Sequence, residues 1–468
     1  MELLFDEAPS FVRLQFCTVS QAGEKSGLPQ REFSGQEGSL ALLRESGRVL
    51  AWAGLGSDTG LGEDELRRAA GTAARGLVAA GFECICIIAG PYSGFAKAIV
   101  EGAIIGAYSF AGYKSGAGSA PRGLGQLSLP GLDAQERLWA SEGAALAEAV
   151  NRVRDLGNMP PNMLTPAVLA SKAEDYVRRT GACLRIWDEY DLAGEGFAGH
   201  LAVGGGSANP PRFILLEREL DPAFPTVAVV GKAVTFDSGG ICIKPGKDLE
   251  EMKFDKMGGL AALGLLEAVT LLKVPVNMIV AVCAAENMPG NNACRPSDVI
   301  TLYGGKTVEI GDTDAEGRLL LAEGLAYVTR RFQPDLTLDI GTLTGAVCVA
   351  LGMHRAGLFS DDDELAETIF RAGERSGDLC WRLPLGREFS KEMEGRIADL
   401  RNIGSSRWGG ASKGAAFLEH FKGEGRWAHI DIGGSGMPDT ALPHIDAGAT
   451  GAGVRMLAEA LRAMYPQG

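Results

Sequence analysis

The chain has 468 residues, 46% hydrophobic and 22% charged, the balance of a folded globular protein rather than a disordered one. Its length, near three times the roughly 150-residue domain prior, allows two or three domains and a large core. Asp and Glu number 59 against 45 Lys and Arg, for a formal net charge of −14. That balance argues against broad binding to a phosphate backbone, though it leaves room for a local basic patch.

The N-terminal run MELLFDEAPSFVRLQF lacks a basic region followed by an apolar core, and no run of about 18 apolar residues exists anywhere. Neither a signal peptide nor a membrane span is expected. Next, residues 48–54 (RVLAWAG) read as a strand, 64–80 as an amphipathic helix with an acidic first turn, 82–89 (FECICIIA) as a buried strand and 95–110 as a second helix. Such alternation favours a parallel sheet covered by helices. A Gly/Pro/Ser-rich stretch over 114–131 interrupts it. A long helix follows, capped by Asp133 with Glu136 as reciprocal partner, and runs to about Leu156. Thr165 and Pro166 have the chemistry of a helix start. The domain boundary is expected near this long helix. Residues 1–155 then form a non-catalytic α/β domain concerned with assembly or access, and 156–468 a larger catalytic one.

The second part alternates again. Strands are expected at 226–231 (TVAVVG), 274–285 and 336–340, helices at 256–272 and 316–332, and a hairpin over 299–310. The expected fold is α/β, with two domains, each a mostly parallel or mixed sheet flanked by helices. In such sheets ligands bind where strand ends meet helix starts.

Three segments gather charge at those junctions: residues 231–240 with Lys232 and Asp237, 252–255 with Asp255, and 312–318 with Asp314, Glu316 and Arg318. Taken singly, each has an ordinary reading. Asp255 could be an N-cap, Asp312 to Asp314 a turn, Lys232 a solvated strand end, and Gly239-Gly240 simply a turn. Taken together, Asp237, Asp255, Asp314 and Glu316 carry four negative charges, which matches two divalent cations held about 3.5–4 Å apart by bridging carboxylates. Lys232 could join such a set only as a neutral amine. Lys244 and Arg318 would remain cationic, able to polarise a carbonyl and to hold an anion.

Other chemistries lack their signatures. The five histidines (His200, His354, His420, His429 and His444) form no HExxH, and no GxxxxGK[ST] phosphate loop or GxSxG elbow is present. The histidines read as surface or packing residues. Nine scattered cysteines (Cys17, Cys84, Cys86, Cys183, Cys242, Cys283, Cys294, Cys348 and Cys380) form neither a CxxC zinc signature nor a dense disulfide framework. They read as reduced core thiols of a cytoplasmic protein.

At this point the sequence resembles the leucine aminopeptidases, or cytosol aminopeptidase family of dinuclear-metal exopeptidases. The likeness rests on residues 154–166, 230–240, 252–255 and 286–289, and above all on Thr313-Asp314-Ala315-Glu316-Gly317-Arg318-Leu319. Residues 342–346, 427–431 and 449–455 extend it nearly to the C-terminus, whereas the first 150 residues carry no motif of comparable weight.

The resemblance implies a metallo-aminopeptidase that removes Leu and other apolar N-terminal residues from peptides through a water bridging two metals. It puts Lys232, Asp237, Asp255, Asp314 and Glu316 on the five ligand positions, with Asp237 and Glu316 as bridges. Lys244 and Arg318 fall on the two catalytic positions, and a bicarbonate at Arg318 acts as base. Met252 lines the pocket for the N-terminal side chain, and Thr342, Leu343 and Gly345 contact substrate. Zn2+ or Mn2+, with Mg2+ or Co2+ as alternatives, would fill the sites, and the assembly would be a homohexamer. Three positions depart from the family pattern: Asp312 for Asn, Lys256 for Met and Gly341 for Ala. Two rivals are a nucleic-acid-binding or scaffold role, opposed by the charge, and metal-assisted phosphoryl hydrolysis, opposed by a lysine ligand.

Overall fold

Internal contacts divide the chain into two units, Met1–Asn151 with Asp439–Ala447 and Arg152–Pro438 with Gly448–Gly468. The structure, a computed structural model, describes residues 1–6, 10–45, 47–110, 112–115, 123–247, 249–437 and 441–466. Residues 7–9 of the N-terminal run and 116–122 of the Gly/Pro/Ser-rich stretch lie outside the described residues.

In the first unit, strands β1 (Glu2–Leu4), β2 (Val12–Cys17), β3 (Leu40–Glu45), β4 (Arg48–Gly54), β5 (Cys84–Ile88) and β6 (Gln126–Ser128) form one sheet in the order β1-β6-β5-β2-β4-β3. Every neighbouring pair is parallel except β3 with β4. Helices Glu63–Ala79 and Ala96–Gly106 pack backbone to backbone, because a Cβ on Gly102 would lie 2.1 Å from the Arg67 carbonyl oxygen and one on Gly106 2.3 Å from that of Gly71. The expected helix over 95–110 is preceded by a 3-10 turn, Gly90–Phe95. Residues 441–447 join this unit, where Arg75 donates to the carbonyls of Leu442 (2.8 Å) and Ile445 (3.0 Å).

Helix Ala134–Asn158 starts at the expected box. Glu136 N–H donates to Asp133 Oδ1 (2.8 Å) and Asp133 N–H to Glu136 Oε2 (2.9 Å). Thr165 caps Pro166–Thr180 through the Val168 amide.

The second unit holds an eight-stranded mixed sheet. Its strands are β7 (Cys183–Trp187), β8 (Arg212–Arg218), β9 (Thr226–Asp237), β10 (Asn277–Asn287), β13 (Leu336–Gly341), β14 (Ala356–Phe359), β15 (Cys380–Arg382) and β17 (Arg426–Asp431), in the order β15-β14-β17-β13-β9-β10-β8-β7. A three-stranded sheet contains β11 (Val299–Thr301), β12 (Thr307–Glu309) and β16 (Leu400–Arg401), and β11 with β12 is the expected hairpin.

The central strands β10, β9, β13 and β17 run parallel, and β9 is buried along most of its length as expected for a sheet covered on both faces. Strand β9 continues six residues past the expected end at Gly231, since Lys232 and Thr235 interrupt the apolar run yet are buried. Helix Met257–Leu271 presses against these strands. A Cβ on Gly258 would lie 2.2 Å from the Ile340 carbonyl oxygen, and one on Gly231 2.5 Å from the Gly259 Cα. The close approach brings residue 255 to the strand ends.

Not every cysteine is a core residue. Cys17, Cys86, Cys283 and Cys380 are buried, whereas Cys183 is exposed and the other four are half-buried. Cys183 sits on edge strand β7, where alternate side chains face solvent. Among the described residues, no helix is long and apolar enough to cross a membrane.

Candidate metal centre

Strand β9 supplies two of the predicted residues. Lys232, 3% exposed, is no solvated strand end: it lies within β9, and its Nζ is 2.8 Å from both Asp255 Oδ1 and Glu316 Oε1. It also donates to the Thr342 carbonyl oxygen at 2.8 Å. The space it crosses exists because residue 317 is glycine; a Cβ there would lie 2.5 Å from Lys232 Cε. Asp237 ends the strand. Its Oδ1 accepts from Gly239 N–H (2.9 Å) and Asn287 Nδ2 (2.8 Å).

The chain then turns through Gly239 and Gly240, whose φ values of 87° and 67° suit glycine. The turn closes with Lys244 N–H on the Ser238 carbonyl oxygen, and Lys244 Nζ returns to 2.9 Å from Asp237 Oδ2 and into contact with Asp314 Oδ1. Asp255 is not a helix cap, since Lys256 occupies that position without a side-chain bond. Asp255 Oδ1 instead accepts the Thr342 hydroxyl at 2.6 Å.

Asp237, Asp255 and Glu316, all buried, thus offer carboxylate oxygens within 4.8 Å of one another. Asp314, a third exposed, is joined to Asp237 through Lys244. Asp255 Oδ2 and Glu316 Oε1 are buried without a hydrogen bond; the Lys232 ammonium is near Glu316 Oε1 but not aimed along it. Unmet buried carboxylate oxygens are costly, and oxygen donors with one amine suit a hard or borderline divalent cation.

The electrostatics agree. Burial, reinforced by the neighbouring carboxylates, pushes Asp255 and Glu316 upward and Asp314 to about 7. Burial alone would depress Lys232 and Lys244, but the surrounding acids outweigh it and raise both. More negative charge converges here than two ammonium groups comfortably balance.

Arg318, 8% exposed, stands beside the cluster. Burial lowers its pKa; Nη1 donates to the Asn402 carbonyl oxygen at 2.8 Å, and Nε is buried without an acceptor. Met252 is half-buried on the 3-10 turn Leu249–Phe254. Thr342 is buried and spent on Asp255 and Lys232, while Leu343 is half-buried and Gly345 exposed at the start of helix Gly345–Leu351.

Two of the three family departures also have partners. Asp312 Oδ1 accepts the Asp314 amide, and buried Lys256 donates to the carbonyls of Met159 and Lys253. Burial, with Lys253 nearby, brings Lys256 down to about 7.

Three supporting residues had no role in the sequence reading. Asn287 holds Asp237 and the Thr313 carbonyl, and Asn402 holds the 311–315 turn on both its amide atoms. Asp431 holds the Leu343–Thr344 backbone. The sequence signal they share is a polar residue at or just past the end of a strand, β10, β16 and β17 in turn. A cavity of about 710 Å³ lies apart from the cluster, lined by Ser360, Arg382, Leu385, Arg387 and Glu419 among others. Of its flanking charges, Arg382 pairs with Asp363 and Asp361 with Lys422.

Comparison with known proteins places the chain in a family. Residues 151–458 match the catalytic domain of the cytosol aminopeptidase family, and residues 21–117 match that family's N-terminal domain. A probable cytosol aminopeptidase of Roseiflexus castenholzii is 43% identical over 78% of this chain and 76% of its own. The bottromycin maturation enzyme BotP, solved in complex with Mn, superposes with a TM-score of 0.88 at 34% identity, covering 98% of this chain and all of that one. The cytosol aminopeptidase of Coxiella burnetii gives 0.87 at 29% identity over 99% of each chain.

Fold and site together define a metal-dependent aminopeptidase, a hydrolase of peptides. The chain belongs to the cytosol aminopeptidase family.

Proposed function

We propose that this enzyme releases Leu and other apolar residues from the free N-terminus of peptides, using a dinuclear centre. Lys232, Asp237, Asp255, Asp314 and Glu316 would hold the two ions. The observation that carries the reading is the meeting of three buried carboxylates within 4.8 Å, two of their oxygens unmet. Two divalent ions, Zn2+ or Mn2+ with Mg2+ or Co2+ as alternatives, would supply Lewis acidity toward the scissile carbonyl and a water of lowered pKa.

The chain's own cations do the rest. Lys244, a fifth exposed, is the ammonium on the open side of the cluster and stabilises negative charge developing on the carbonyl oxygen. Arg318, with one donor unmet, would hold a bicarbonate, which would supply the general base. Met252 lines the pocket for the N-terminal side chain, and Thr342, Leu343 and Gly345 form the loop along which the peptide backbone lies. The first unit serves assembly or access in a cytoplasmic homohexamer.

The test is metal content measured together with N-terminal-residue release from a small peptide panel. The unsubstituted enzyme carries about two ions per chain and releases Leu. Asp237→Ala loses metal and drops turnover by at least about a thousandfold, with its circular dichroism retained. Full leucine-anilide hydrolysis by that variant would sink the reading.

A further inference from the structure

We infer that Asp431 and Thr344 are positioning residues that fix the register of a bound peptide on the Leu343–Gly345 loop; the inference rests on the aminopeptidase reading above. Asp431 is the last residue of β17 and fully buried. Its Oδ1 accepts amides from Leu343 (3.0 Å), Thr344 (3.4 Å) and Gly433 (3.1 Å), and its Oδ2 accepts the Thr344 hydroxyl at 2.7 Å. The same hydroxyl accepts Val347 N–H at 3.1 Å and so caps helix Gly345–Leu351. One carboxylate therefore ties together the loop that leaves β13 and the helix that follows it.

The loop is held at two points of different kind. Upstream, Thr342 is fastened into the carboxylate cluster through its hydroxyl and its carbonyl. Downstream, Leu343 packs against the hydrophobic core, and the side chain that hydrogen-bonds the Leu343 and Thr344 segment is Asp431 on the neighbouring strand, paired with Gly341 in the β13–β17 ladder. Loss of the downstream tie leaves the cluster intact and frees the segment that a peptide backbone would lie against. A segment already in its bound shape loses less entropy when substrate docks. Releasing it should weaken peptide binding while leaving metal loading and the chemical step nearly untouched.

Thr344 gives the cleaner test, because Asp431 also contributes to the charge felt by Arg318. Thr344→Val keeps the shape and removes the hydroxyl; Thr344→Ser restores it. With a leucine-initiated tripeptide, Thr344→Val should raise KM about tenfold, since it removes both the hydrogen bond to the Asp431 carboxylate and the cap on Val347 N–H. Its kcat and Mn2+ content should stay within about twofold, with Thr344→Ser back near the unsubstituted KM. Asp431→Asn keeps an acceptor for the three amides and should fall between.

Three results overturn the assignment alone: an unchanged KM in Thr344→Val, a parallel loss of Mn2+, or failure of serine to rescue. If the unsubstituted enzyme, loaded with Mn2+, releases no N-terminal residue, the aminopeptidase reading falls and the assignment with it.

Discussion

The two units use nearly the same architecture, a largely parallel sheet with helices against it, yet they treat buried charge in opposite ways. In the first, buried Arg67 meets buried Glu101 at 2.8 Å, with Asp64 and Glu63 at the rim, and the charges cancel locally. In the second, Asp237, Asp255 and Glu316 converge from the end of β9 and the starts of two helices, and Lys232 and Lys244 leave carboxylate oxygens unmet. A compensated pair holds a fold together, whereas an uncompensated cluster makes a site for a cation. Function here follows from the charge left over at the strand ends, not from the sheet that carries it.

The comparison breaks most visibly if the cations beside the cluster prove dispensable. Arg318→Ala should lower kcat about 10²- to 10³-fold, the magnitude associated with losing one charge-stabilising group, while bound metal changes little. Kinetics with metal analysis on the same sample check this, and unchanged turnover would remove Arg318 from the chemistry. A smaller effect is expected one layer out. Asn402→Ala strips four hydrogen bonds from the 311–315 turn and frees the carbonyl geometry that holds Arg318 Nη1. Mn2+ affinity should fall about 10- to 100-fold, the usual cost of losing an outer-shell partner, as titration calorimetry would show.

Much of this was legible in the chain. The apolar runs of β4, β5, β10 and β13, the capping box of Asp133 with Glu136 and the hairpin all follow from local pattern, since each element is decided by residues a few positions apart. The charged junction segments were legible as a set because four carboxylates demand compensation. What was not legible depends on contacts between distant residues. Taken singly, Lys232 reads as a strand end because a charge in an apolar run usually marks one, yet Asp255 and Glu316 keep it inside. Asp255 looked like a cap until Thr342 claimed its oxygen. Asn402 is a single polar residue just past a two-residue strand, and nothing local separates it from an ordinary turn residue.

The smallest effect on turnover should come from the compensated pair, which makes it the sharpest control. Glu101→Gln removes one charge but keeps an oxygen that can accept from Arg67 Nε, now 2.8 Å from Glu101 Oε1. Arg67 keeps Asp64 at 3.4 Å and Glu63 at 3.8 Å, both partly exposed and screened. Removing one partner of a fully isolated buried pair costs about 3–5 kcal/mol. The retained acceptor and the two rim carboxylates should bring the loss down to about 1–3 kcal/mol. Thermal unfolding followed beside kcat would register a lower midpoint with unaltered turnover and metal content. If turnover fell in proportion to stability, the first unit would have to shape the site directly, and a division between a unit that balances its charges and one that leaves them open would no longer describe how this enzyme works.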